Sequence, residues 1–240
     1  SLYRKRETPT KSLPIDGVGL GLLVVWVGAL QIMLDKGKEL DWFNSPVIVT
    51  LAIVAVIGFT FFLIWELTDE HPIVDLSLFQ RRNFAMGTIG LTLGYAVFFG
   101  NLVVIPMWLQ GFMGYTATWA GLVTAPVGLF AVLLSPVIGR TIHKVDPRLF
   151  ATVAFVVFAL CAFWRASFSP EVTAGTVAAT HLLQGVAMAT FFISLTTVIL
   201  SGLEQQRVPA ASGLYNFIRI MAGSFAASVW TTWWEDQAIR

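Results

Sequence analysis

The chain has 240 residues, a mean hydropathy of +0.75, 56% hydrophobic residues, 12% charged residues and a formal net charge of +1. Soluble domains carry about 25% charged residues, so this chain has too few polar side chains to cover a water-facing surface. It is too apolar for disorder and has no basic excess for nucleic acid. Its single cysteine, Cys161, excludes an intrachain disulfide or a thiol cluster. An all-α integral membrane protein remains.

The first fifteen residues form a polar tail with Arg4, Lys5, Arg6 and Lys11. Uncharged stretches follow at Gly17 to Leu34, Trp42 to Trp65, Asn83 to Gly139, Leu149 to Trp164 and Val172 to Leu203. Val208 to Trp234 carries one charge, Arg219. A helix needs roughly 20 apolar residues to cross the hydrocarbon core. Asn83 to Gly139 is too long for one crossing and reads as a hairpin, with its turn at Gly111 to Thr116. The expectation is therefore seven helices, at 16–35, 46–67, 84–110, 117–140, 149–167, 174–201 and 209–233. Long solid apolar runs are unlike the alternation of a membrane β-barrel.

Basic residues set the orientation. With the N-terminal tail in the cytoplasm, Arg4, Lys5, Arg6, Lys11, Arg81, Arg82, Arg140, Lys144, Arg148 and Arg207 fall inside. Lys36, Lys38, Arg165 and Arg240 then fall outside, and the C-terminus is periplasmic. No secretory signal is readable. A first residue that is Ser, a loop-like start and an odd number of spans suggest a piece of a larger transporter or channel.

No enzyme motif is present. His71, His143 and His181 form no H-E-x-x-H pair, and no G-x-S-x-G, phosphate-binding or dinucleotide-binding glycine pattern occurs. His181, inside a span, reads as a packing residue or as a proton relay. Gly17 with Gly21, Gly90 with Gly94, Ala222 with Ala226 and Gly223 with Ala227 are small-residue pairs that allow helices to approach closely. Pro106, Pro126 and Pro136 are expected to interrupt the third and fourth spans.

Arg219 stands ten residues past Pro209, about 15 Å at 1.5 Å per residue. That is near the bilayer centre, where a charge is costly and usually functional. Helical spacing puts it on one face with Ser212, Tyr215, Asn216, Ala222, Gly223 and Ala226, opposite Leu214, Phe217, Ile218, Met221 and Phe225. Two readings stay open: a structural arginine bonded to neighbouring carbonyls, or a part of the transport pathway or its coupling.

Several segments, taken together, carry a resemblance. They are Leu30 to Phe43 (with Gln31, Asp35, Gly37, Asp41 and Trp42), Trp65 to Asp69, Pro72 to Leu76, Arg82 to Phe84, Gly114 to Gly121, Ser212 to Arg219 and Ala222 to Ser224. In these the chain resembles the C-terminal part of the fourteen-span drug:proton antiporters of the major facilitator superfamily, the EmrB/QacA type. The resemblance implies a partial major facilitator fold: a cytoplasmic central loop (1–15), two extra transmembrane helices (16–67), a cytoplasmic loop (68–83) and an incomplete C-terminal bundle (84–240). It implies export of hydrophobic or amphipathic drugs coupled to proton entry, with a proton gradient and no cofactor or metal. It also implies a bacterial inner-membrane location, a periplasmic adaptor protein and an outer-membrane channel as partners. Gly139, Arg140, His143, Lys144, Asp146 and Arg148 resemble a degenerate copy of the superfamily's cytoplasmic loop motif, with His143 where the motif has Asp.

An apolar, aromatic-lined cavity suits such substrates. The candidate lining residues are Tyr95, Phe98, Phe99, Asn101, Gln110, Gln184, Phe191, Phe192, Tyr215 and Asn216. A seven-helix receptor or sensor and a non-transporting scaffold are the other classes the span count allows.

Overall fold

The computed structural model describes residues 16–69, 72–169 and 171–238, with side chains through 234. The basic tail, Glu70, His71 and Arg240 lie outside the described residues. Every regular element among those described is helical, and they fall into two compact units that divide at Leu76 and Ser77.

The first unit is a hairpin of α1 (Gly17–Lys36) and α2 (Pro46–Thr68). Asp16 caps α1, accepting from the Val18 and Gly19 backbone N–H groups, and Pro46 opens α2, where no intrahelical donor is needed. The helices meet where Gly58 leaves room for Trp26: an added Cβ there would lie 2.9 Å from Trp26 Cβ. Phe59 and Phe62 flank the indole at 4.9 and 6.0 Å between ring centres. Between the helices Asp41 and Trp42 adopt left-handed backbone (φ 59° and 48°), uncommon for residues with a Cβ. Asn44 Nδ2 donates to Asp41 Oδ2 at 2.9 Å, and the Trp42 ring covers Gly37, where an added Cβ would lie 2.6 Å from Cζ3. Gln31 donates to Asp35 at 3.1 Å one turn on. Those residues of the resemblance build this turn.

The second unit holds α3 (Arg82–Gly111), α4 (Ala117–Thr124), α5 (Pro126–Thr141), α6 (Pro147–Ala166), α7 (Ala174–Leu200) and α8 (Val208–Ala238). The turn expected after α3 is present: Gly114 takes a positive φ of 67°, and Thr116 Oγ1 caps α4 by accepting from Trp119 N. Of the three prolines, Pro126 alone divides a helix, separating α4 from α5. Pro106 and Pro136 lie inside helices that continue through them. α8 runs on through Ala238, so Glu235 and Asp236 belong to a helix rather than a loop.

Among the described residues, six spans are long and apolar enough to cross a membrane: α1, α2, α3, α4 with α5, α6 and α7. α8 has the length, at 31 residues, but the polar residues around Arg219 dilute its apolar face. Large apolar side chains point outward, including Phe163 at 77% and Val132 at 72% exposure. Water would not tolerate such a surface, and lipid tails are its natural solvent.

α7 is the central element, packed against α3, α5 and α6, while α8 packs mainly on α3. Half of α7's most apolar window is buried, against 11% for α6, which identifies α6 as peripheral within the unit. Phe191 of α7 is fully buried among Phe155, Phe158 and Phe192, at 5.2–5.6 Å between ring centres. Lipid tails are as apolar as leucine, so close packing rather than water exclusion holds such helices together. Glycine supplies the closeness where rings or backbone cross: Gly94 lies under Phe191, and at Gly185 an added Cβ would meet the Val127 carbonyl at 2.6 Å. The expected Gly17 and Gly21 pair has nothing within 4 Å of its would-be side chains, so Gly58 makes the close approach in the first unit instead.

Candidate functional site

Three helices bring most of the aromatic candidates into one belt. Tyr95, Phe98 and Phe99 project from α3, and Phe191 and Phe192 from α7. Tyr95 lies 6.3 Å from Phe98, 5.7 Å from Phe99 and 6.0 Å from Phe192, centre to centre. Arg219 enters this belt from α8. Its guanidinium carbon sits 5.0 Å from the centre of the Tyr95 ring and 5.3 Å from that of Phe192. The two ring faces attract the cation without supplying a negative charge. Arg219 Nε is buried and has no hydrogen-bond partner.

This placement depends on Gly223, one turn beyond Arg219, where an added Cβ would lie 2.6 Å from Tyr95 Cε1. Tyr95 therefore lies across the α8 backbone itself. Tyr215 and Ala226 on the same face are each 7% exposed, while Ile220 and Phe225 point away at 56% and 51%. Leu214, read as part of the greasy side, is also buried, at 7%. Asn216 donates to the Ser212 carbonyl of its own helix at 2.9 Å.

Another arginine of the same unit, Arg165, was counted with the charges outside the membrane. Arg165 belongs to the last turn of α6, and its side chain bonds to neighbouring helices. Its Nε donates to Thr180 Oγ1 at 3.2 Å, its Nη1 to Asn101 Oδ1 at 3.2 Å, and its Nη2 to Gln184 Oε1. One guanidinium thus ties α6 to α3 and α7 through three neutral acceptors. Asn101 is aimed by its own amide, which donates to the Val97 carbonyl at 2.9 Å, and Gln184 is 4% exposed. The signal available in sequence was an arginine closing an apolar run opposite a helix that carries Thr180 and Gln184 one turn apart.

His181 is 3% exposed, and its Nδ1 lies 2.9 Å from the Val177 carbonyl of its own helix. Gln110 is exposed at the end of α3, donates to the Pro106 carbonyl at 3.1 Å and stands apart from the aromatic belt. The loop-motif residues occupy another part of the unit. Gly139 and Arg140 end α5, His143 and Lys144 are exposed, and Asp146 caps α6 by accepting from Arg148 N at 2.9 Å. Arg148 Nη2 donates to Asn83 Oδ1 at 3.2 Å, and Asn83 Nδ2 donates to Ser201 Oγ at 3.1 Å. Those contacts join the start of α6 to the start of α3 and the end of α7. Arg82, Asn83 and Arg148 line an open cavity of about 350 Å³ there.

Residues 17–227 match the family model of the Major Facilitator Superfamily. The chain belongs to that superfamily. It is 52% identical over 235 residues to the multidrug export protein EmrB of Escherichia coli K12, covering 98% of this chain and 46% of that protein. It is 47% identical to the fatty acid resistance protein FarB of Neisseria gonorrhoeae, over 97% of this chain and 46% of that one. The lincomycin resistance protein LmrB of Bacillus subtilis is 25% identical, over 95% of this chain and 48% of that protein. The chain thus spans about half the length of the curated relatives it matches. Its long apolar helices agree with a multi-pass membrane protein of that superfamily.

Proposed function

We propose that this chain supplies part of the C-terminal half of a proton-coupled exporter of hydrophobic or amphipathic toxic compounds. Its first unit is the pair of extra helices, and its second is five helices of the C-terminal bundle. The carrying observation is Arg219, a guanidinium set against the Tyr95 and Phe192 rings with its Nε unbonded. Tyr95, Phe99 and Phe192 offer flat apolar surface for a drug-like molecule, and Arg219 offers the polar group that orients it. A permanently charged arginine cannot release its proton, so Arg219 acts on the proton carrier through its field rather than by carrying the proton.

The reading extends to setting and partners. The protein lies in the bacterial inner membrane with the start of this chain cytoplasmic and its end periplasmic, as the distribution of basic residues supports. The energy source is the proton gradient, and no cofactor is required. By kinship with EmrB, a periplasmic adaptor and an outer-membrane channel complete the export route. No observation favours a receptor or a scaffold.

The test is drug resistance in cells carrying the full-length parent protein. Arg219→Ala should lower resistance while membrane abundance stays within about twofold of wild type, as a lost transport interaction requires. Unchanged resistance would refute the reading, and loss of the protein from the membrane would reassign Arg219 to folding.

A further inference from the structure

Two carboxyl groups in the first unit are used by none of the chemistry above. Asp16 Oδ1 accepts from Val18 N at 3.1 Å and Gly19 N at 2.8 Å, and its Oδ2 accepts from Trp65 Nε1 at 3.0 Å. Glu66, in the last turn of α2, is 4% exposed. Its Oε2 accepts from Val74 N at 2.9 Å, but its Oε1 is buried with no hydrogen-bond partner. Gly19 separates the two groups. An added Cβ there would lie 2.9 Å from Glu66 Oε1 and would collide with Asp16 Oδ2. The unbonded oxygen of Glu66 and Oδ2 of Asp16 thus lie against the same bare glycine.

Among the described residues, the charged groups that act on Glu66 are Asp16, at the start of α1, and Asp69, just past α2. Both are acidic. An ionised Glu66 would bury a negative charge beside two others and leave Oε1 unbonded, and each of these is costly. A single proton removes both faults. On Oε1 it cancels the charge and turns the unbonded oxygen into a donor beside the glycine that Asp16 Oδ2 also borders. Asp16 accepts three N–H bonds and Glu66 one, so the negative charge rests on Asp16.

We propose that Glu66 and Asp16 form a proton-binding site in which Glu66 carries the proton on Oε1 and donates it to Asp16 Oδ2. The proton comes from water, and the occupied pair keeps one negative charge. Occupancy joins the start of α1, the end of α2 and the Val74 segment. Losing the proton sets two carboxylates against each other across Gly19 and loosens that junction, so the joined state is favoured as pH falls.

Infrared difference spectra of the full-length protein in lipid nanodiscs test the site. Wild type minus Glu66→Gln should show one protonated-carboxyl carbonyl band at neutral pH that shifts in heavy water. The Asp16→Asn variant keeps the helix cap, since Asn caps as well as Asp, and it should move or abolish that band. No band in the first difference, or a band indifferent to Asp16→Asn, would overturn the proposal. Should Glu66→Gln fail to reach the membrane, wild type is compared with Asp16→Asn alone. Wild type should lose thermal stability on the alkaline side with a midpoint that falls to lower pH in Asp16→Asn, because the repelling charge is gone. An unchanged midpoint would refute the shared proton.

Discussion

Arg219 of α8 rests 5.0 Å from the Tyr95 ring centre because Gly223, one turn further along α8, has no side chain to hold that ring away. A cation–aromatic contact is worth ~0.5–1 kcal/mol when exposed and ~2 or more when desolvated. It lowers the cost of a membrane-embedded charge without neutralising it. The charge therefore stays available to whatever shares the belt, and the predictions below turn on that availability.

The contribution of charge and of shape at Arg219 can be separated. Arg219→Lys keeps the point charge but loses the planar fork that stacks on rings. Resistance should lie between wild type and Arg219→Ala. Tyr95→Leu should lower resistance to aromatic substrates while leaving Arg219 in place, as read from dose–response curves normalised to membrane abundance. Equal resistance for Arg219→Lys and Arg219→Ala would mean that the fork, not the charge, matters.

Gly223→Ala should destabilise the protein. The new Cβ meets Tyr95 Cε1 at 2.6 Å, and overpacking of this kind costs ~1–3 kcal/mol. Gly213→Ala, on the same helix with nothing within 4 Å, should be neutral or stabilising by up to ~1 kcal/mol from helix propensity. Thermal unfolding of the purified full-length variants compares them directly. The prediction fails if both substitutions shift the midpoint equally.

Arg165→Ala removes three interhelical hydrogen bonds to Asn101, Thr180 and Gln184. Such bonds in membranes average ~0.6 kcal/mol and reach ~1.7, so the expected loss is about 2–4 kcal/mol. Arg165→Lys should recover roughly half, since one ammonium cannot span three acceptors in fixed directions. Midpoints of thermal or denaturant-induced unfolding in detergent would show this, and a wild-type midpoint for Arg165→Ala would contradict it.

Reporter fusions check the orientation. Junctions after Phe43 and Thr116 should report periplasm, and those after Gln80 and Lys144 cytoplasm. The reverse result at two or more sites would overturn the topology.

The 240-residue chain by itself should not perform coupled export. Alternating access needs a facing repeat around the binding site, and the chain spans about half the length of its relatives. In vesicles with an inward proton gradient it should move no ethidium-like dye beyond an empty-vesicle control. Gradient-driven uptake abolished by His181→Ala would instead make His181 the carrier.

Membrane class, helix positions and the Gly111 to Thr116 turn were legible in the residues alone. Each rests on local quantities: the length of an uncharged run, a capping side chain, a glycine free to take positive φ. Arg219 stood out for the same reason, as one charge inside an apolar run. Pro106 and Pro136 stay inside α3 and α5, since a proline removes one hydrogen bond without ending a helix when neighbouring groups absorb the loss. Glu66 ends an apolar run in the sequence, and only the fold put it near Asp16 at Gly19, some fifty residues away in the chain. Arg165 was counted with the outside charges because a charge at the end of an apolar run is, by position, a boundary residue. Whether it faces water or the bundle depends on where α3 and α7 lie. Apolar length and helical period are properties of a single segment, and they determined what crosses the membrane. Which side chains share a polar site is a property of segments packed together, so Asn101, Thr180 and Gln184 became the partners of Arg165 only when the tertiary structure brought α3, α6 and α7 into contact.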